Sequence, residues 1–270
     1  MPGSSGKSGT AGSEQAARTE RSTASYVYGV VPADVEANPD ARGVGDPPGR
    51  VELVKYGEIA ALVSDVPPDR PLGTPEDLMA HQRLLDGTAA EVPVLPFRFG
   101  AVLDSPESVA DELLAPHHDE FLAALKNLEG RAEYVVKGRY VEQALLGEVL
   151  AENAEAAQLR EEIRGLPEDA TWDARIRLGE VINETVAAKR DADTRTLIDA
   201  LAPLCVAVAM REPTHEQDAV HLALLVETDR RTEIEKALEE FGRRWEGRTD
   251  LRLLGPLAPY DFVITQEQEG

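Results

Sequence analysis

A pair of long helical segments in the middle of this 270-residue chain restricts its fold more than any other feature. Residues 142–164 and 173–201 are rich in Ala, Glu and Leu, and their apolar residues recur at helical spacing. The short sequence GLP at 165–167 separates them, which predicts an antiparallel helical hairpin. Because strand-like segments lie on both sides of this hairpin, we expect an α+β fold with two domains.

Residues 26–141 predict a ferredoxin-like α+β domain with an added hairpin. Two helices are expected to begin after Thr74 and Ser105, since each is a capping residue followed by Pro and acidic residues. Segments with strand character lie at 26–32, 51–56, 58–66, 92–103 and 131–141. The resulting order β, ββ, α, β, α, β is close to a split βαβ motif, with the last of these strands in this first domain.

Residues 142–264 predict a second α+β domain that contains the long helix pair and a small antiparallel sheet. Its remaining elements are strands at 204–212, 219–227 and 251–264 and a helix at 230–245. Residues 1–25 contain almost no large apolar side chains, so we expect them to be a disordered tail, and 265–270 a polar tail.

The acidic composition narrows the range of partners. The chain has 50 Asp and Glu against 28 Lys and Arg, a formal net charge of −22, which argues against binding nucleic acid or an anionic membrane surface. No apolar run is long enough to span a bilayer, and the start lacks the pattern of a signal peptide. Together with a lone cysteine, Cys205, these features indicate a reducing, cytoplasmic location.

Sequence motifs for catalysis, cofactors and metals are absent, so we expect no catalytic, cofactor-binding or metal-ligating residues. The start GSSGKSGT lacks the spacing of a phosphate-binding loop, and the five histidines lack metal-ligand spacing. Cys205 lies in an apolar strand and is expected to be a structural thiol. Asp77 and His81, four apart on a predicted helix, are expected to form a surface pair.

Two other classes of function remain open at this point. One is a small-molecule enzyme that uses a pocket in the ferredoxin-like domain, which requires acids or histidines converging on a cavity. The other is a non-catalytic regulator that dimerises through its sheet.

Two proline-containing segments are the candidates for a protein-interaction site. In PVLPFRFG at 93–100, strand alternation would place Phe97 and Phe99 on one face and Arg98 on the other. In GPLAPYDF at 255–262, the prolines exclude a central strand, and Tyr260 and Phe262 would share a face. Each segment is either part of the core or a docking surface, and these five residues are the candidate contacts.

The same segments resemble a known family. The motifs are PFRFG at 96–100, GPLAPYDFV at 255–263, YVYGVV at 26–31, AEYVVKGRYVE at 132–142, and CVAVAMRE at 205–212 followed by HLALLVE. In their order and spacing they are similar to the gas vesicle protein L/F family (GvpL/GvpF). The resemblance covers residues 26–264.

The resemblance implies an accessory protein of gas vesicle formation that binds the small hydrophobic shell protein, other accessory proteins, or both. It also implies two α+β domains, the first ferredoxin-like, no catalytic residues, and a location in the cytoplasm and at the gas vesicle. A hydrophobic shell protein aggregates unless its apolar faces or strand edges are covered. We therefore expect an acidic carrier whose edge or groove covers the shell protein and whose charge keeps the complex soluble.

Overall fold

Two antiparallel sheets organise residues 23–263, the part of the chain that the computed structural model describes. The first sheet consists of β1 (Ala24–Pro32), β2 (Val51–Tyr56), β3 (Ile59–Val66), β4 (Leu95–Pro96) and β5 (Val102–Leu103). Its strands lie in the order β2-β3-β1-β4, and β5 also pairs with β1. The predicted tails lie outside the described residues, except for residues 23–25, of which Ala24 and Ser25 belong to β1, so the prediction of a disordered tail is wrong at these two residues.

The second sheet follows later in the chain. It consists of β6 (Arg131–Tyr140), β7 (Ala207–Met210), β8 (Asp218–Glu227) and β9 (Thr249–Leu257), in the order β7-β8-β6-β9. All neighbouring strands are antiparallel. β9 is an edge strand, which accommodates Pro256, because proline has no N–H to donate to a neighbouring strand.

Helices cover the faces of both sheets, which confirms the predicted α+β class. The α-helices of the described residues are α1 (Pro75–Ala89), α2 (Pro106–Ser108), α3 (Ala115–Leu128), α4 (Glu142–Glu152), α5 (Ala154–Ile163), α6 (Trp172–Leu201) and α7 (Arg231–Arg244). A π-helical turn (Val109–Leu114) joins α2 to α3. Within residues 23–263, no helix has both the length and the apolar character needed to cross a membrane.

Local capping chemistry explains where several helices begin. The Thr74 hydroxyl accepts a hydrogen bond from the Asp77 N–H, and the Ser105 hydroxyl accepts one from the Ser108 N–H, as predicted. The segment 142–164, predicted as one helix, is divided into α4 and α5. Asn153 causes the break, because its backbone is extended and its side chain caps α5 at the Ala156 N–H.

The strand at 131–141, expected in the first domain, does not pair with the strands of the first sheet. β6 pairs along its length with β8 and β9 and is a central strand of the second sheet. Its apolar residues identify a buried strand, but they carry no information about partners that follow much later in the chain. The boundary at residue 141 stays a prediction, while strand pairing groups β6 with the elements after it.

Both sheets share one strand order, in which the first strand lies between the third and the fourth. In the second sheet, β6, the helices after it, β7, β8, α7 and β9 give the complete β-α-β-β-α-β order of a ferredoxin-like fold. In the first sheet, residues 33–50 join β1 to β2 without a helix. The β2–β3 hairpin, predicted as an addition, supplies two of the strands of that shared order.

Both faces of the first sheet are buried. Tyr26 and Tyr28 pack on one face with Leu85 of α1, and Val27 packs on the other face with Phe121 of α3. The second sheet buries one face against α6 and α7. Leu225 of β8 points to its other face, toward α3, and this junction positions the candidate site.

Candidate functional site

A cleft of about 910 Å³ lies where α3, the segment 95–103 and residues 262–263 meet. We call it the α3 groove. Four phenylalanines, Phe97, Phe99, Phe121 and Phe262, line it together with aliphatic side chains from all three segments. An apolar cleft of this size at a protein surface is typical of a binding site for a ligand or a partner segment.

Phe97 and Phe99 both line the groove, but the prediction that they share one face is wrong. The Phe97 ring lies 5.9 Å from the Phe121 ring, on the α3 side of the first sheet. The Phe99 ring lies 5.7 Å from the Tyr26 ring, on the α1 side. The reason is that β4 ends at Pro96, so the two-residue alternation of a strand does not continue through 97–99.

Arginine side chains contribute the positive charge of the groove. Arg98 is exposed between the two phenylalanines and lines the groove, as does Arg131 at the start of β6. Nη1 of Arg131 donates to the backbone oxygen of Asn127 (2.7 Å), which holds the guanidinium beside the end of α3. Glu120 is the acidic residue in the lining, and its carboxylate lies 3.4 Å from Nδ1 of His117.

The C-terminal strap, defined here as residues 258–263, forms one wall of the groove. β9 bends before it at Gly255, whose φ of +133° favours glycine, and a Cβ there would lie 2.9 Å from the backbone oxygen of Glu133. Beyond Leu257 the chain leaves the second sheet. The strap then brings Phe262 and Val263 to the groove. The Tyr260 side chain points instead to His81 of α1, so the prediction that Tyr260 and Phe262 share a face is wrong.

Hydrogen bonds to α1 hold one side of the strap. The Tyr260 hydroxyl lies 2.9 Å from Nε2 of His81, and Nδ1 of the same ring lies 2.9 Å from the Tyr26 hydroxyl. Burial lowers the pKa of His81. The Ala258 N–H donates to the Asp86 carboxylate (3.0 Å).

A buried ionic cluster holds the other side of the strap. Glu133 of β6 is fully buried, and its carboxylate accepts hydrogen bonds from Arg211 (2.8 Å) and from the Asp261 N–H (3.2 Å). Arg211 also pairs with the Asp261 carboxylate. Burial, with the neighbouring Asp261, raises the pKa of Glu133 to about 8. Burial also acts to raise the pKa of Asp261, but hydrogen bonds with Arg211 and Glu133 and the charge of Arg211 together outweigh it and lower that pKa.

Sequence reasoning missed this network. Asp77 and His81 do not form the expected surface pair, because both side chains are buried and they face different partners. Asp77 binds Arg70 (2.9 Å) and caps α1, while His81 binds Tyr26 and Tyr260. The partners of His81 lie far from it along the chain, so helical spacing carries no signal for them.

Of the five predicted interaction residues, the structure brings four to the groove: Phe97, Arg98, Phe99 and Phe262. Tyr260 lies outside it, against α1. Within residues 23–263, no three His, Cys, Asp or Glu are grouped to hold a metal ion, and burial raises the pKa of the Cys205 thiol to about 11.

Comparison with known proteins decides the family. The model of the family "Gas vesicle synthesis protein GvpL/GvpF" matches residues 24–264. This chain belongs to the GvpL/GvpF family. Gas vesicle protein F of Streptomyces sp. (strain CB03234) is 34% identical over 242 residues, which are 88% of this chain and 98% of that protein. Gas vesicle protein L of the same strain is 26% identical over an alignment of 273 positions that covers 90% of this chain and 94% of the relative.

Solved structures of GvpF share the fold. The crystal structure of GvpF from Anabaena sp. PCC7120 has a TM-score of 0.74 at 22% identity and covers 91% of this chain and 100% of the other. That of GvpF from Microcystis aeruginosa has a TM-score of 0.70 at 22% identity, covering 89% and 98%. Membership of the GvpL/GvpF family supports a role in gas vesicle formation.

Proposed function

We propose that this protein assists gas vesicle assembly by binding the small hydrophobic shell protein in the α3 groove. The observation that carries the proposal is an open, mostly apolar groove on a chain whose net charge is −22. A monomeric soluble protein rarely leaves a large apolar cleft uncovered unless the cleft serves binding. Membership of the GvpL/GvpF family supplies the biological setting for such a partner.

The groove and the acidic surface have complementary tasks in this proposal. Phe97, Phe121 and Phe262 cover an apolar segment of the shell protein and keep it from associating with other copies. The excess of carboxylates on the rest of the chain keeps the complex soluble. The complex forms in the cytoplasm and delivers the shell protein to the growing vesicle, where other accessory proteins are further partners.

The test is co-expression of this chain, tagged, with the gas vesicle shell protein, followed by affinity purification at moderate salt. Ala123 is exposed on α3 and lines the groove, so the substitution Ala123→Glu places a carboxylate against the apolar partner. Because burying an unpaired carboxylate is costly, we expect the recovered shell protein to fall by about tenfold or more.

Ala187→Glu is the matched control, because Ala187 is exposed on α6 and does not line the groove. The substitution therefore adds the same charge at a distance from the groove. We expect this variant to recover as much shell protein as the unmodified chain. Circular dichroism checks that both variants are folded. Equal recovery with the folded Ala123→Glu variant would reject the groove as the binding site.

A further inference from the structure

We propose that this protein forms a symmetric dimer in which β7 pairs antiparallel with β7 of a second copy, with Val208 at the two-fold axis. The pairing joins the second sheets of two chains into one sheet with four strands from each copy. This inference goes beyond the proposed function and does not depend on it. A free strand edge, exposed apolar side chains and a self-complementary register each contribute one part of the argument.

β7 is an edge strand without the features that usually protect an edge. It pairs with β8 on one side, and within residues 23–263 no strand lies on its other side. Charged side chains, prolines or very short strands protect the edges of natural sheets. The edge strand β2 contains Glu52 and Lys55. The two-residue strand β4 contains Pro96, and β9 contains Pro256. The sequence of β7, AVAM, has neither charge nor proline, so its outer backbone groups are open to another strand.

Two exposed apolar side chains flank the centre of this edge. Val206 is 42% exposed and Met210 is 72% exposed. Val208, between them, packs on the core under α6 and α7 and is half-buried. The Val206 N–H donates to the Leu225 oxygen (2.8 Å), so pairing with β8 extends to Val206. Because side chains alternate along a strand, the three residues share the face that the helices cover. A strand added here would cover Val206 and Met210 and leave the core as it is.

The chain around β7 is suited to pairing with itself. Pro203 and Pro213 each lie five residues from Val208. In an antiparallel pair centred on Val208, each proline lies opposite the other proline of the second copy and outside the paired segment. Val206 lies opposite Met210 of the second copy, so both exposed side chains are covered at once. A two-fold contact of this kind closes as a dimer and leaves no free edge at β7.

Neighbouring registers lose this match. A pair centred on Ala209 places Val206 opposite the charged Glu212. A pair centred on Ala207 places Met210 opposite the helical turn Ala202–Leu204, which cannot continue a strand ladder. Val208 is therefore the centre that brings apolar strand residues together.

The net charge of −22 gives the dimer a characteristic salt dependence. Two copies of an acidic chain repel each other, but the paired strands themselves are uncharged. Charges separated by more than about 8 Å are largely screened at physiological ionic strength. We therefore expect salt to strengthen the dimer.

The dimer would bring two α3 grooves close together. Leu225 lies opposite Ala207 in the sheet and lines the groove. In the joined sheet the two Leu225 residues lie three strand spacings apart across the strands, about 14 Å. This consequence alone rests on the proposed function, for which a dimer would offer two neighbouring binding sites.

Light scattering after size-exclusion chromatography tests the dimer on the full chain. We expect the mass to rise from that of one chain towards that of two as protein concentration increases, and to do so at lower protein concentration in about 500 mM salt than in about 50 mM salt. A chain that stays monomeric throughout would overturn the proposal and leave the β7 edge to a strand of another protein. A dimer that weakens with salt would also overturn it, because charged contacts would then hold the copies together.

Charge substitutions at the two exposed positions test the register. One variant combines Val206→Lys with Met210→Lys, and the other combines Val206→Glu with Met210→Glu. Like charges then lie opposite each other when either variant pairs with itself, so we expect each to dimerise at least tenfold more weakly than the unmodified chain. An equal mixture of the two should form mixed dimers, because opposite charges then face each other. Circular dichroism checks that both variants are folded.

Leu254→Lys is the matched control, because Leu254 is 43% exposed on β9, the other edge of the same sheet. We expect this variant to dimerise like the unmodified chain. Dimers that persist in both charge variants alone would place the interface elsewhere and overturn the proposal. A mixture that stays monomeric would overturn the stated pairing. These measurements contain no shell protein, so their failure is distinct from failure of the proposed function, which the Ala123→Glu variant tests.

Discussion

At the residue scale, buried polar groups connect the two sheets through the C-terminal strap. Glu133 comes from β6, Arg211 follows β7, and Asp261 lies in the strap. Their wide separation along the chain means that no spacing motif could predict the cluster. The available signal was an acidic residue inside the otherwise apolar stretch at 132–136.

The raised pKa of Glu133 predicts a pH-dependent stability. Burial raises its pKa from 4.5 to about 8, so between these values the folded state holds a proton that the unfolded state has released. The contribution of this group to the free energy of unfolding therefore falls as pH rises through that window. Glu133→Gln removes the titration, and we expect its stability relative to the unmodified protein to increase from pH 5 to pH 8 by on the order of 2 kcal/mol.

Urea unfolding at a series of pH values measures this difference. Glu120→Gln, on an exposed residue of α3, is a control for removing one carboxylate. Parallel stability curves for Glu133→Gln and the unmodified protein would show that Glu133 keeps an ordinary pKa in the fold.

At the element scale, local chemistry predicted helix starts well and the course of irregular segments poorly. The caps at Thr74 and Ser105 depend on neighbouring residues and are readable from the sequence. The side-chain directions at 97–99 depend instead on where pairing with β1 ends, which is set by contacts with distant parts of the chain. For the same reason the sequence did not show that β6 pairs with β8 and β9, which follow much later in the chain.

The break between α4 and α5 gives a prediction at this scale. Asn153 caps α5, and its side chain also donates to the Thr185 hydroxyl of α6 (3.0 Å). We expect Asn153→Ala to lower the free energy of unfolding by about 1 kcal/mol, measured by urea unfolding. Asn183→Ala, at an exposed position on α6, should have little effect. An equal loss for both variants would argue against a capping role for Asn153.

At the scale of the whole molecule, the groove exists only where parts of both sheets meet. Phe and Pro clustering in the sequence marked two of its walls, at 96–100 and 255–263. The third wall, part of α3, was predicted only as a helix, because nothing local shows which of its residues stay accessible once α3 packs on the first sheet. Tyr260 was predicted to share a face with Phe262, and its actual contact with His81 could not be predicted because that contact depends on the folded position of the strap.

The most direct test of the central claim is hydrogen–deuterium exchange of this protein alone and in complex with the shell protein recovered by co-expression. The account predicts slower exchange at 113–128 and 97–103 in the complex, with no change at 35–51. A second cleft, of about 570 Å³, lies between 35–51 and α1. Slower exchange confined to that cleft, or unchanged exchange at 113–128, would contradict the claim that the α3 groove holds the shell protein.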